Sequence, residues 1–220
     1  MKPLVIFGAG EIAQLAHFYF TRDAGLAVSA FAVDPAFVRE SACCGLPVLA
    51  FAEACAAFAP ATHDLFVALS YARINALRAE KCAEGRAAGY RLARYVSSKA
   101  SVWEGFVPQD NAFILEDNTI QPFVSIGPNV TLWSGNHIGH HASVGANCFI
   151  TSHVVISGGV TVGENAFVGV NATLRDHVRI GARSVIGAGS LVLEDVPDDG
   201  VVAARGSELS KVPSHRLRRL

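Results

Sequence analysis

A small α/β unit followed by a coiled solenoid of short parallel strands is predicted by two patterns in the sequence. The first is a period of six. From Ile114 through Ile120, Ile126, Leu132 and Ile138 to Val192, every sixth residue is aliphatic, fourteen positions without a break. Two residues before each stands a small or β-branched residue such as Ala112, Val130, Ala142 or Cys148, with Asn118 and Asn136 as the exceptions. Glycine recurs one residue after, as at Gly127, Gly139, Gly145 and Gly163. A helix period of 3.6 or a strand period of 2 does not generate this spacing; a coil of three six-residue sides does. The second pattern is an apolar run, Leu4–Val5–Ile6–Phe7, that leads into Gly8–Ala9–Gly10–Glu11–Ile12–Ala13.

That run reads as a strand, a glycine turn and a helix. Ile12, Leu15, Ala16 and Tyr19 continue with helical spacing as far as Gly25. Val28–Val33 is a second strand, and it ends at Asp34–Pro35. Together they form a GxGxxA turn with an acid about 20 residues on. Gly8, Ala9 and Gly10 let a pyrophosphate approach the backbone, the helix start supplies free N–H groups, and Asp34 is placed to hold a ribose hydroxyl or a base edge. A tight turn with no ligand is the plain alternative. Further on, Gly45–Val48 reads as a strand, Phe51–Phe58 as a helix, Leu65–Leu69 as a strand, Ala72–Ala88 as a helix and Arg91–Val96 as a last strand. Ser70, Tyr71, Asn75 and Arg78 follow the strand that ends at Leu69, at the edge where an open sheet collects ligand groups. The unit is too short for both halves of a dinucleotide fold, which argues against an NAD-linked dehydrogenase. It suits one nucleotide.

Val96 and Val102 already keep the six-residue phase, and Pro108 interrupts it. The expected division is therefore 1–96, 97–204 and a tail, 205–220. The repeat is expected to stop after Val192, with a turn at Pro197 and Gly200 and a return run over Val201–Ala204. Arg205, Lys211, Arg216, Arg218 and Arg219 could meet coenzyme phosphates, although a solvated tail is the simpler reading.

The net charge is −1, so no basic stripe points to nucleic acid. No apolar run approaches the roughly 20 residues of a membrane span, and Leu4–Phe7 is too short for a signal-peptide core. Five scattered cysteines without a CxxC pair read as reduced thiols in a cytoplasmic protein.

The hexads Asn136–His141, Ala142–Asn147 and Ser184–Gly189, closed by Asp195–Val196–Pro197 and Val201–Val202–Ala203, resemble those of the hexapeptide-repeat acyltransferases. With a glycine-turn α/β unit in front, nearly the whole chain resembles one branch of them. Its members are sialic-acid O-acetyltransferases and N-acetyltransferases of nucleotide-linked amino sugars, which serve cell-surface polysaccharide synthesis. The resemblance implies a left-handed parallel β-helix behind a small Rossmann-like sheet, a homotrimer with active sites between subunits, and acetyl-CoA as co-substrate without a metal. It also implies roles for particular residues. Ile138–Gly139–His140–His141 matches the family's aliphatic–x–His–acid pattern except at its last residue, so His140 is the implied general base and His141 stands where an acid is usual. Gly158, one coil on, falls at the oxyanion donor. Val170 and Ala188 fall at coenzyme contacts, and His153 lies on the next corner of the same coil, which a neighbouring subunit could share.

The chemistry agrees with the register. Acyl transfer from a thioester needs a base for the proton of the attacking group and a donor for the charge on the thioester oxygen. His140 and an open Gly158 N–H one coil apart supply both. An amine acceptor gives an N-acetyltransferase, and a hydroxyl acceptor an O-acetyltransferase. Two other classes compete. His137, His140, His141 and His153 crowd one coil, so a zinc enzyme like a β-helical carbonic anhydrase is conceivable, provided three of them converge. A non-catalytic sugar-nucleotide sensor is the other. His177, two coils from His141, reads as solvated or structural. Asn118 and Asn136 suggest an inward asparagine ladder, Trp133 a subunit contact or a border of the sugar site, and Cys148 an inert buried thiol.

Overall fold

The structure, a computed structural model, describes residues 2–204, 206–207 and 212–216. Arg205, Lys211, Arg218 and Arg219 lie outside the described residues. Strand β1 (Leu4–Phe7), helix α1 (Glu11–Arg22), β2 (Val28–Val33), β3 (Ala42–Cys43), β4 (Leu46–Ala50), helix α2 (Phe51–Ala57), β5 (Asp64–Val67) and helix α3 (Ala76–Ala87) make up the first unit. Its sheet has the order β3-β4-β2-β1-β5, parallel except for the hairpin β3–β4. β1 is wholly buried because it is the apolar strand between two neighbours and under helices.

The predicted helix over 72–88 starts four residues later than the apolar spacing suggests. Arg73, Ile74 and Asn75 all have positive φ, so they form a left-handed turn that no right-handed helix includes. The predicted strand over 91–96 divides as well. Leu92 bridges Leu65 of the first sheet, whereas Tyr95–Val96 pairs with Phe113–Ile114 of the coil.

The remaining chain is a left-handed parallel β-helix. Two-residue strands recur every six residues and fall into three sheets of seven, six and four strands. Pairing between successive coils is parallel and offset by eighteen, as in Thr131 with Phe149 and His137 with Val155. The aliphatic second residue of each strand points inward, and Ile114, Ile120, Leu132, Ile138, Ile150 and Ile156 are fully buried. The coil continues past Val192: Val196 bridges Ile180, and Val201–Val202 pairs with Val185–Ile186 at an offset of sixteen. Two residues fewer in that coil hide it from a count in sixes.

Every third residue after an inward aliphatic turns a corner in the left-handed region. Asn111, Asp117, Phe123, Asn129, His141, Asn147, His153, Asn165, Asn171 and His177 all have positive φ there, and Gly135 and Gly159 occupy the same slot. Asn, Asp, His and Gly tolerate this backbone best. The inward ladder forms as expected: Asn136 Nδ2 donates to Asn118 Oδ1 (3.0 Å), and the Val154 amide donates to Asn136 Oδ1 (2.8 Å). A second ladder runs along a corner, Asn111 to Asn129 (2.9 Å) and Asn129 to Asn147 (2.8 Å).

The first unit packs on the seven-strand face. Tyr95, Phe113 and Leu115 of the coil share a buried cluster with Phe20, Phe31 and Phe66. No helix among the described residues is long and apolar enough to cross a membrane.

Candidate active site

A cleft of about 790 Å³ opens beside the glycine turn, with Gly8, Ala9, Gly10, Asp34, Arg39 and Cys43 in its walls. Gly8 has φ +120, and a Cβ there would lie 2.7 Å from the Ala68 carbonyl oxygen, so packing and backbone both require glycine. A Cβ on Gly10 would meet nothing within 4 Å. Gly10 is the N-cap of α1 and makes no side-chain cap. The amides of Gly10, Glu11 and Ile12 donate to no group among the described residues, which leaves a positive helix end facing the cleft. Asp34 forms an ion pair with Lys81, which also reaches Glu84 (2.8 Å) and lies over the Phe7 ring. Lys81 was not foreseen, because its place beside Asp34 depends on how α3 packs and not on spacing.

The edge after β5 is used differently from the sequence expectation. Pro35 begins a short turn (Pro35–Phe37) and, like Ser70 and Tyr71, is not part of the cleft wall. Ser70 gives its carbonyl to Arg78, and the Tyr71 ring packs on Phe149 and Phe167 (5.3 and 4.7 Å). Arg78 is 1% exposed, and its guanidinium spends every N–H on the coil and the turn before α3. It donates to Asn129 Oδ1 (3.0 Å), the carbonyls of Asn129, Asn147 and Cys148, and Asn75 Oδ1 (3.1 Å). Burial without a carboxylate partner lowers its pKa to about 10. Asn75 is fully buried and donates to the carbonyls of Asn165 and Ala166. These two residues therefore join the units and do not face a ligand. Trp133 likewise packs within its own chain, near Phe149 and the first unit's core. Cys148 is buried, which pushes its thiol up to about 12.

The histidines divide by corner. His140 and His141 lie between the six-strand and four-strand faces, both exposed. His153 lies at the other end of the six-strand face, where a Cβ on Gly135 would meet its ring at 2.5 Å. Val170 and Ala188 share that second corner and are exposed. His137 is half-buried on the face between. Among the described residues no three His, Cys, Asp or Glu side chains converge as a metal would need.

His141, His153 and His177 occupy the positive-φ slot, where a histidine has a backbone reason to be. His140 does not. Its ring lies on the backbone of Gly158: a Cβ there would come within 2.8 Å of both Nε2 and Cε1. Its Nδ1 is 3.1 Å from Nδ1 of His141, so one of the two nitrogens carries the shared proton. Its amide is held by Gln121 Oε1 (2.8 Å), and its carbonyl accepts from the Gly159 amide (2.9 Å). Phe123, 77% exposed, packs at a tilt against the His141 ring at 4.7 Å. Gln121 stands one coil below Gly139, so counting in eighteens would have found it. The amides of Gly158, Val170 and Ala188 donate to no group among the described residues.

Residues 123–158 and 159–194 match the family model described as bacterial transferase hexapeptide (six repeats). By its repeat and its fold the chain resembles the hexapeptide-repeat acyltransferases in which an α/β unit precedes the coil, as the following likenesses show. A histidine-to-asparagine variant of perosamine N-acetyltransferase from Caulobacter crescentus, solved with CoA and GDP-perosamine, is 27% identical, with a TM-score of 0.82 over 91% of this chain and 93% of that one. PerB from the same organism, also with CoA and GDP-perosamine, is 28% identical, with a TM-score of 0.81 over the same shares. The acetyltransferase domain of PglB from Neisseria gonorrhoeae shares the fold, at 20% identity and a TM-score of 0.64 over 93% of this chain and 97% of that one. No curated protein sequence matches the chain.

Proposed function

We propose that the protein transfers the acetyl group of acetyl-CoA to the amino group of a nucleotide-linked amino sugar. The observation that carries this reading is the His140 ring on the bare backbone of Gly158, with its Nδ1 against His141. The coarser statement, sugar acetylation from acetyl-CoA, is supported by relatives solved with CoA and a nucleotide sugar over nearly the whole of their length. In this reading residues 1–96 hold the nucleotide, residues 97–204 carry out the transfer, and 205–220 form a tail.

The protonation state follows from the histidine pair. When His140 Nδ1–H donates to His141 Nδ1, the lone pair of His140 Nε2 is free. The neutral amine attacks the thioester carbon, a C–N bond forms, and Nε2 takes the amine proton. The negative charge on the thioester oxygen is met by the Gly158 amide. The C–S bond then breaks, and the coenzyme leaves as its thiolate, which the imidazolium can reprotonate. His141 thus replaces the usual acid as a proton acceptor that fixes the tautomer. The nucleotide lies in the cleft with its phosphates toward the amides of Gly10, Glu11 and Ile12, near Gly8, Ala9 and Asp34.

Val170, Ala188 and His153 stand across the six-strand face from His140, so a coenzyme that touches both corners runs between copies. This supports a homotrimer with shared sites. A cytoplasmic location and a part in cell-surface polysaccharide synthesis follow from this substrate class.

The test is a screen of acetyl-CoA with UDP-, dTDP- and GDP-linked amino sugars, followed by free thiol release. His140→Asn should lower turnover by roughly 10²–10⁴-fold and leave CoA binding intact. Normal turnover in that variant refutes the assignment. Equal rates with an acceptor carrying hydroxyl in place of amine would move it to O-transfer.

A further inference from the structure

Cys43 ends β3, and it pairs with Leu46 of β4, so Cys44 and Gly45 make the turn between them. Their φ angles are +50 and +78. Two positive φ angles mark a turn whose first residue is normally Asn or Asp, so a cysteine there has no backbone explanation. Both thiols belong to the wall of the glycine-turn cleft. Cys43 Sγ lies 3.9 Å from Cys44 Sγ and 3.8 Å from the carbonyl oxygen of Ala9, inside the glycine turn itself.

We propose that Cys43 and Cys44 are a reversible oxidation site, which closes to an intramolecular disulfide and reshapes the wall of the nucleotide cleft. The effect on nucleotide rests on the reading of the cleft given above; the disulfide does not. The oxidant is a hydroperoxide. The exposed Cys44 thiolate attacks its O–O bond and becomes a sulfenic acid, and the alcohol or water departs. Cys43 sulfur then attacks the Cys44 sulfur, an S–S bond forms, and hydroxide leaves to take up the Cys43 proton. Burial pushes the Cys43 thiol up to about 11, so the exposed Cys44 and not Cys43 is the thiol that meets the peroxide.

Bonding brings the sulfurs from 3.9 Å to about 2.0 Å and removes the Cys43 S–H that the Ala9 carbonyl accepts, so the contact between β3 and the glycine turn is lost. Adjacent Cα atoms are about 3.8 Å apart, below the usual range of about 4.4–6.8 Å for disulfides. The ring is therefore strained and easily reduced, as a switch requires and a structural bridge does not.

The experiment treats the full-length reduced protein with hydrogen peroxide and follows intact mass, peptide map, and amide hydrogen exchange over residues 8–14. The expected result is a loss of about 2 Da, reversed by dithiothreitol, in one peptide holding both cysteines. Exchange over residues 8–14 should change with it. A phenylarsenical, which needs two thiols, should bind once per chain, and Cys43→Ser or Cys44→Ser should each abolish both responses. GDP and UDP binding to the wild type should weaken at least about tenfold on oxidation, in proportion to lost amide contacts at the turn. A bridge to another cysteine, a stable sulfenic acid, or an unchanged response in either variant overturns the proposal. Unchanged exchange over residues 8–14 overturns its effect on the cleft. If the reduced protein binds neither GDP nor UDP, the nucleotide reading fails, while mass, arsenical and exchange still decide the switch.

Discussion

Replacing Gly158 by alanine separates catalysis from folding at a single atom. The new Cβ would sit 2.8 Å from Nε2 and Cε1 of His140 and 3.3 Å from Nδ1. Ordinary contact begins near 3.4 Å, so the basic nitrogen must retreat by about 0.6 Å while the backbone stays in place. A displacement of about 1 Å can cost 10²-fold in a positioned reaction, so the expected fall in kcat is roughly 10- to 100-fold. Stability should not fall. Gly158 has no positive φ, and an alanine at such a site restricts the unfolded chain, a gain of about 0.4–1 kcal/mol. The assay is thiol release under saturating acetyl-CoA, with thermal unfolding measured alongside. Gly139→Ala is the matched contrast. Its Cβ would meet the Gly158 amide nitrogen at 2.6 Å and the Ser157 carbonyl carbon at 2.7 Å, backbone that cannot swing aside, so it should lose stability first. A Gly158→Ala protein with wild-type kcat would refute the contact between His140 and Gly158 as the working geometry.

Two further outcomes test how the units are joined. Arg78→Met should cost about 2–5 kcal/mol in urea unfolding, since the carbonyls of buried Asn129 and half-buried Asn147 receive no other hydrogen bond among the described residues. Asp23 accepts from the Ser98 hydroxyl and amide and from Tyr95, which holds its carboxyl below the usual range. A depressed folded value means that the stability it adds is complete above the unfolded value near pH ~3.9 and is lost as pH falls through the folded value. Asp23→Asn should therefore flatten the acid limb of the stability curve, measured by denaturation at a series of pH values.

The coil was legible because one residue in six must fill its interior, and the eighteen-residue offset then aligned His140 with Gly158. The corner slot was equally periodic but chemically mixed, Asn, Asp, His, Gly, one Phe and one Arg, so its shared property, positive φ, shows only in the backbone. That slot explains three histidines without catalysis and leaves His140 unexplained by anything else. Arg78 and Asn75 were open to misreading for a different reason. A polar pair after a strand at the ligand edge looks the same whether it meets a nucleotide or carbonyls 51–91 positions away along the chain. Only packing distinguishes the two. The left-handed turn at Arg73–Asn75 was hidden because its residues have no glycine to announce it.

The packing of the first unit on the seven-strand face has a consequence for assembly. A three-walled column with one wall built over has two walls left for company. Those two meet along a single edge, and His140 and His141 stand on it. Any second copy that leans on either free wall comes up to that edge. The histidine edge is thus the one edge of the three that the first unit does not border.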